Sequence, residues 1–317
     1  MEARNSKKIA YKRTCLPLVC AMLITNLCVS PSSKAQQDPL YSQYMFNMLA
    51  INPAYSGINN NLNFSVNSRF QWGGLEGSPK TYTLTANSGF FANKIGLGAI
   101  VLRDELGVNQ NTEFHLAYSY KISSPDFALS FGLQTGIINY RYNYSELRLK
   151  YLDDPDFVPV MESATKVNFG FGIAYKREDF FAGLSIPRIL NRNFDDGVSI
   201  STRYERHIYA TAAFLLRFKP GLQLKPMVLV KGVQGAPVSF DLHASVIINN
   251  FMWAGIFTRD INSYGLMVQF EIKHYKIGYS FELPNKDFAG TNLLTHEIML
   301  SLDLEALPDH IVMMRFF

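Results

Sequence analysis

Residues 61–72 alternate between apolar and polar side chains, and this alternation constrains the fold more than any other feature of the chain. One parity is apolar except at Ser68: Leu62, Phe64, Val66, Phe70 and Trp72. The other parity is polar throughout: Asn61, Asn63, Ser65, Asn67, Arg69 and Gln71. A period of two is typical of a β-strand with one wet face and one apolar face. Such a strand fits a half-buried antiparallel sheet, or a membrane barrel with lipid outside and water inside.

The first 35 residues have the features of a secretory signal peptide. Five basic residues precede a mostly apolar stretch at 16–29, and Ser33-Lys34-Ala35 places small residues at the two positions that a signal peptidase inspects. The apolar stretch is shorter than the roughly 20 residues of a membrane-spanning helix, and Pro17 and Asn26 interrupt it. We therefore expect cleavage after Ala35 and export of the remaining chain.

Removal of this segment changes the composition of the chain. All three cysteines lie within it, so the exported part has no thiols for disulfides or metal ligation. Residues 1–35 also hold six of the 30 Lys and Arg but one of the 26 Asp and Glu, which leaves a net charge of about −1. That balance gives no electrostatic footprint for nucleic acid. The 17 Tyr and 24 Phe suit a barrel with aromatic girdles at the membrane interfaces.

The chain after residue 60 is a series of alternating segments separated by turn residues. Short connections such as 91–93 alternate with mostly longer ones such as 73–79 and 104–111, an asymmetry that is typical of outer-membrane barrels. We predict an all-β fold, a transmembrane antiparallel β-barrel of about 14 strands, with short turns in the periplasm and the longer loops outside. The predicted strands are residues 61–72, 80–90, 94–103, 112–122, 127–140, 166–176, 180–188, 207–219, 222–232, 238–249, 251–258, 263–272, 275–283 and 294–304.

Two segments flank the predicted barrel of residues 61–304. In residues 36–60, Asp38 can cap a short amphipathic helix that ends before Asn52-Pro53, because the residue before a proline avoids the helical region. We expect this part at the periplasmic side, folded into the lumen as a plug; a disordered leader is the alternative. Residues 305–317 form a tail that ends in Arg315-Phe316-Phe317, and a terminal aromatic residue is common in outer-membrane barrels.

Several motifs resemble the PorP/SprF family of the type IX secretion and gliding machinery of the Bacteroidota. The resemblance rests on residues 38–47 (DPLYSQYMFN), 52–57 (NPAYSG), 69–72 (RFQW) with 77–79 (GSP), 96–98 (GLG) leading to Asp104 and Gly107, and 295–298 (THEI). These motifs cover most of the exported chain in the expected order. The N-terminal block is the most specific of them, whereas the glycine pattern alone would be weak.

The resemblance implies a non-enzymatic outer-membrane barrel that assists export or surface attachment of secreted proteins such as adhesins. It also implies partners: other type IX secretion or gliding components, an exported surface protein, and outer-membrane lipid, with no nucleic acid. The alternative is a passive or substrate-specific outer-membrane channel. An accessory barrel should have a closed lumen, whereas a channel needs a continuous wet path.

Two sets of candidate site residues follow from the interpretations as a plugged accessory barrel and as a channel. The expected plug or partner contacts are Asp38, Tyr41, Tyr44, Phe46, Asn52, Pro53 and Tyr55, and the expected lumen-facing residues are Arg69, Gln71, Glu113, Asp241, Glu271 and Glu297. No catalytic residue, cofactor or metal is predicted, because the histidines lack the spacing of a zinc site and no G-x-S-x-G occurs. The acidic clusters at 153–156 and 195–197 are interpreted as solvated outer loops, with calcium binding as the alternative.

Overall fold

The computed structural model describes residues 41–59, 61–91, 93–143, 161–190, 205–285 and 293–305. Its helical elements are three short 3-10 turns at Tyr44–Phe46, Met48–Ala50 and Pro53–Tyr55. The strands are β1 (Asn61–Phe70), β2 (Lys80–Phe90), β3 (Ile95–Leu106), β4 (Asn109–Ser123), β5 (Ala128–Asn143), β6 (Met161–Lys176), β7 (Phe180–Ile186), β8 (His207–Phe214), β9 (Leu216–Lys219), β10 (Leu222–Val233), β11 (Ser239–Ile248), β12 (Met252–Arg259), β13 (Ser263–Ile272), β14 (Tyr275–Pro284) and β15 (Thr295–Glu305). The predicted signal peptide (1–35), Asp38, both acidic clusters and residues 306–317 lie outside the described residues.

The strands form one closed antiparallel barrel. Each strand pairs with its neighbours along the chain, β1 pairs with β15, and β10 pairs with β11. Segments β8 and β9 both pair with the same edge of β10, on either side of Leu215, and so make up one strand of the wall. The wall therefore has fourteen strands, which confirms the predicted fold class and strand count.

The two faces of the wall have the polarity of a membrane barrel. On β1, Phe64 and Val66 point outward and are 39% and 46% exposed, whereas Asn67 and Arg69 point inward and are each 3% exposed. A soluble sheet would bury the apolar face and expose the polar one. Here the apolar side chains cover the outside, where lipid solvates them, and the polar side chains share the interior.

The two ends of the barrel differ. At the end where β1 begins and β15 ends, which we call the termini end, tight turns connect the strands, with positive φ at Asn249, Asn250 and Lys273. Aromatic side chains cluster on the outside there: the ring centroids of Phe180 and Phe214 lie 4.8 Å apart. The opposite end, the loop end, carries the longest connections, although the turns between β3 and β4 and between β12 and β13 are also tight. An aromatic belt of this kind is typical of a membrane interface.

The longest strands extend further toward the loop end than the sequence predicts. Residues 104–111 were expected to form a loop, but β3 and β4 remain paired up to Leu106 and Asn109, with a turn at Gly107 (φ 58°). The outward side chains near this turn, such as Arg103, are polar and exposed. Hydrophobic alternation therefore stops where the hairpin leaves the apolar band, although backbone pairing continues beyond it.

Residues 41–59, which we call the inner segment, lie inside the barrel. They form three separate 3-10 turns instead of the continuous amphipathic helix expected from their spacing. An amphipathic helix needs one wet face, but this segment is enclosed on all sides: Tyr44, Ser42 and Asn47 are 0%, 1% and 7% exposed. Its polar groups bond to the wall in several directions, which a regular helix could not satisfy. Within the described residues, no helix has the length and apolarity to cross a membrane.

Candidate functional site

The inner segment contacts strands on opposite sides of the lumen. The hydroxyl of Ser185 on β7 donates to the Ile51 carbonyl at 2.7 Å, and the hydroxyl of Ser119 on β4 donates to the Ser56 carbonyl. On the other side, the Ser42 N–H donates to Glu297 on β15 at 2.7 Å. The segment therefore fills the width of the barrel and does not lie along one wall.

Glycines on the inner face of the wall make room for this backbone. A Cβ atom at Gly132 would overlap the backbone of Pro53 and Ala54, and one at Gly96 would overlap the Ser56 carbonyl. Both glycines have negative φ and belong to strands, so conformational freedom does not explain them. They are required because two backbones approach closely.

Glu297 binds the leading end of the inner segment. Its two carboxylate oxygens accept hydrogen bonds from the N–H groups of Ser42 and Gln43 at 2.7 and 2.9 Å. The amide of Asn67 donates to the same carboxylate at 2.8 Å, and the carboxylate lies 3.2 Å from the guanidinium of Arg69. With 1% exposure, this carboxylate is compensated by two backbone donors, a side-chain amide and a cation.

Arg69 connects Glu297 to further buried charges. Its guanidinium donates to the Ser42 hydroxyl at 2.6 Å and to Glu282 at 2.9 Å. Glu282 lies 3.7 Å from Arg259, which in turn lies 3.2 Å from Asp241. We call Arg69, Asp241, Arg259, Glu282 and Glu297 the charged cluster. Since Arg69 is one residue from the loop end of β1, the inner segment begins near the loop end and runs toward the termini end, where it joins β1.

Three aromatic residues of the inner segment are packed against the wall. The Tyr41 hydroxyl is hydrogen-bonded to Thr83 on β2. Tyr44 meets His243 edge-on at 5.0 Å, and Phe46 meets Trp253 edge-on at 5.5 Å.

Asn52, Pro53 and Tyr55 fix the middle of the inner segment. The Asn52 side chain accepts from the Ala54 N–H at 2.9 Å, which caps the turn that begins at Pro53, and donates to the Ile173 carbonyl on β6 at 3.1 Å. The ring of Tyr55 packs edge-on against Phe181 at 6.0 Å. One asparagine thus sets the local turn and attaches it to the wall.

A second ionic group lies near the loop end. Glu113 on β4 is 1% exposed and accepts from Arg188 at 2.7 Å and from His115 at 2.7 Å. Arg188 follows β7, where the chain folds back over the lumen: Gln134 on β5 donates to the Pro187 carbonyl at 3.4 Å. The residues after β7 are thus bonded to β4 and β5 across the inner face of the wall.

The remaining predicted residues lie at the ends of strands. Gln71 follows the last residue of β1 and is half-buried, while Glu271 lies near the termini end, 3.4 Å from Lys276. Asp241 belongs to the charged cluster, and Asp38 precedes the described residues. No cluster of His, Cys, Asp and Glu with the arrangement of a metal site occurs among the described residues.

The predicted site residues do not include Ser42, Gln43, Asn67, Arg259 or Glu282, which contact or belong to the charged cluster, nor Arg188, which pairs with Glu113. Glu282 could have been found, because Phe281 and Leu283 point outward and so place Glu282 inside. Arg259 was assigned to a loop, although it ends β12. Ser42 and Gln43 bind the wall through backbone N–H groups and through their side chains, but these contacts depend on the path of the inner segment, which no residue pattern reveals.

A closed fourteen-strand wall, an apolar outer surface and a polar interior filled by the chain itself define an outer-membrane β-barrel. The family described as type IX secretion system membrane protein PorP/SprF matches residues 33–302. The chain belongs to this family. No curated protein matches the chain.

Solved structures with a similar fold are remote in sequence. The toluene transporter TbuX of Ralstonia pickettii has a TM-score of 0.48 at 10% identity, with 86% of this chain and 95% of that chain covered. The outer membrane protein Omp33 of Acinetobacter baumannii has a TM-score of 0.46 at 9% identity, with coverages of 78% and 99%. At these values the likeness carries no argument about function.

Proposed function

We propose that this protein is a non-enzymatic, plugged barrel that assists the type IX machinery in the export or surface attachment of secreted proteins such as adhesins. The observation that carries the proposal is the inner segment, which occupies the lumen and is bonded to opposite walls. A filled barrel offers no passage for a solute, but it provides a rigid anchor in the membrane. The barrel would then recognise its partners through the connections between strands and through the ends of the inner segment.

The proposed orientation places the termini end in the periplasm and the loop end outside the cell. It follows from cleavage of residues 1–35, from the tight turns at the termini end and from the longer connections at the other. Ser42 then lies toward the outside, and Asn59 toward the periplasm. An exported protein would meet the loop end, and periplasmic components of the machinery would meet the tight turns.

The first test identifies the partners. The protein is crosslinked in intact cells, purified from outer membranes in mild detergent, and its companions are identified by mass spectrometry. Recovery of type IX components or of one exported surface protein supports the proposal. A barrel without such companions that conducts ions in a planar bilayer contradicts it and favours a channel.

A second test uses an engineered disulfide to fix the inner segment to the wall. The Ser56 hydroxyl oxygen lies 2.9 Å from where a Cβ at Gly98 would be. In a disulfide, the Cβ of one cysteine lies about 3 Å from the sulfur of the other, so Ser56→Cys with Gly98→Cys should form a bridge. The native cysteines all lie in residues 1–35, so they do not interfere after cleavage.

Secretion by the disulfide-bridged variant distinguishes a barrel that acts as a fixed anchor from one that acts as a gated pore. A plug that stays in the lumen predicts equal secretion with the bridge oxidised or reduced. Each single cysteine variant is the matched control for crowding at β3. Secretion that stops on oxidation and returns on reduction, in the double variant alone, would show that the segment must move and would contradict the proposal.

A further inference from the structure

A small polar cavity lies between the inner segment and the wall near the termini end. Its volume is about 50 Å³, and Phe46 and Met45 of the inner segment cover one side. The wall residues that bear on its chemistry are Asn63, Lys225, Trp253, Gln269, Lys276 and Asp303. Asn63 and Lys276 are half-buried, so solvent reaches this end of the lumen. The space is enough for a few water molecules or one small polyatomic ion.

Positive charge predominates around the cavity. Lys225 is 2% exposed, and its ammonium lies 5.4 Å from the centre of the Trp253 ring. Lys276 also lines the cavity, and Lys176 donates a hydrogen bond at 2.7 Å to Asn59, another lining residue. The acidic residue of the lining, Asp303, is already engaged: Lys276 lies at 3.0 Å, and the amide of Asn63 donates to it at 2.5 Å. Lys276 also lies 3.4 Å from Glu271, so the three lysines face two carboxylates and leave an excess of one positive charge.

Two polar atoms of the lining have no hydrogen-bond partner within the described part of the chain. The indole N–H of Trp253, a residue with 4% exposure, lacks an acceptor, and the side-chain oxygen of Gln269 lacks a donor. A polar group that is buried without a hydrogen-bond partner destabilises the fold. An acceptor-rich ligand would satisfy the first group, and a ligand that also carries a proton would satisfy both.

We propose that this cavity binds a small oxyanion of the phosphate class. Lys225 supplies the charge, the Trp253 N–H donates to an oxygen of the ligand, and the hydroxyl of a hydrogen phosphate donates to Gln269. The same group could arrive as inorganic phosphate or as a phosphomonoester, and the cavity volume restricts either to a compact molecule. This site is independent of the proposed role in secretion.

Trp253 also provides the assay. The chain has two tryptophans, so Trp72→Phe leaves Trp253 as the single reporter. The purified barrel in detergent is titrated with inorganic phosphate, glycerol phosphate, sulfate or chloride at constant ionic strength. We expect a saturable change in Trp253 emission with phosphate, at least a tenfold weaker response to sulfate, which carries no proton at neutral pH, and none specific to chloride. A response to glycerol phosphate as strong as that to phosphate identifies a phosphomonoester site, and a weaker one identifies a site for the free ion.

A matched pair of lysine variants tests the assignment of Lys225. Lys225→Met should weaken the phosphate response at least tenfold, whereas Lys231→Met should change it less than twofold. Lys231 is a suitable control because it lies on the same inward face of β10 and is 4% exposed. A linear response, an equal response to chloride, or an equal loss in both variants overturns the proposal. The linear response and the equal response to chloride are both measured on the protein that retains Lys225 and Lys231. The proposal therefore stays testable even if a lysine variant fails to fold.

Discussion

Replacing Glu297 with glutamine should release the leading end of the inner segment from the wall. Glutamine keeps the volume of the side chain but has one oxygen in place of two, and its amide nitrogen cannot accept a hydrogen bond. In the native barrel the two carboxylate oxygens serve the N–H groups of Ser42 and Gln43. After the substitution, one of these donors faces another donor, and Arg69 loses one of its two carboxylate partners.

The size of the effect follows from these contacts. A hydrogen bond to a charged group contributes about 1.5–3 kcal/mol, and removing one partner of a buried ion pair costs about 3–5 kcal/mol. Glu282 stays paired with Arg69 at 2.9 Å, so we expect the lower part of that range, about 3 kcal/mol. Since 1.4 kcal/mol corresponds to a tenfold change in an equilibrium constant, a loss of about 3 kcal/mol raises the fraction of molecules with a detached leading end about 100-fold.

Two measurements check this expectation in purified barrels. Urea unfolding in detergent should show the loss of stability, and planar bilayer recordings should show openings that the native protein lacks. Glu271→Gln is the matched control, because Glu271 also pairs with a lysine but its side chain is 29% exposed, and such pairs contribute about 1 kcal/mol or less. Equal stability of the two variants, with no openings in either, would refute the reasoning.

Three further substitutions test other contacts, each by urea unfolding of the refolded barrel. Gly132→Val should cost about 3 kcal/mol because the backbone of the inner segment occupies the space, whereas Gly232→Val, where nothing lies within 4 Å, should cost little; equal losses would contradict the packing argument. Asn52→Ala should cost about 1–2 kcal/mol through the lost cap and wall contact, and a neutral result would contradict that role. Leu133→Arg on the lipid-facing side should cost about 2–4 kcal/mol of stability. Asn139→Arg, on the polar part of β5, should change the stability very little. A similar cost for both variants would place Asn139 within the membrane.

The sequence predicts the wall well wherever one face meets lipid. Lys80–Phe90 and Ser263–Ile272 were predicted with the bounds that the structure has, because apolar and polar residues alternate along most of their length. The prediction fails where the outer face meets water. β5 and β6 pair as far as Asn143 and Met161, but Asn139 and Thr165 on their outer faces bond to each other, so the apolar signal is missing.

The interior of the barrel is much less visible in the sequence. Alternation places Glu113, Asp241 and Glu297 on the inner face, but it cannot pair them with partners that are distant in the chain. Glu113 and Arg188 are 75 residues apart, and Glu297 and Ser42 are 255 apart. The fold of the chain after β7 brings Arg188 to Glu113, and the path of the inner segment brings Ser42 to Glu297, so alternation along the strands predicts neither pair.

The contacts of Glu297 couple docking of the inner segment to closure of the barrel. Glu297 lies on β15 opposite Arg69 on β1, so this cross-strand pair belongs to the seam between the first and last strands. The same carboxylate accepts from Ser42 and Gln43. A barrel that closed before the segment entered would leave Glu297 without these two donors, and a segment that entered an open sheet could not contact Arg69 on β1 and Glu297 on β15 together. Each step supplies what the other needs, so we expect the seam and the inner segment to form together.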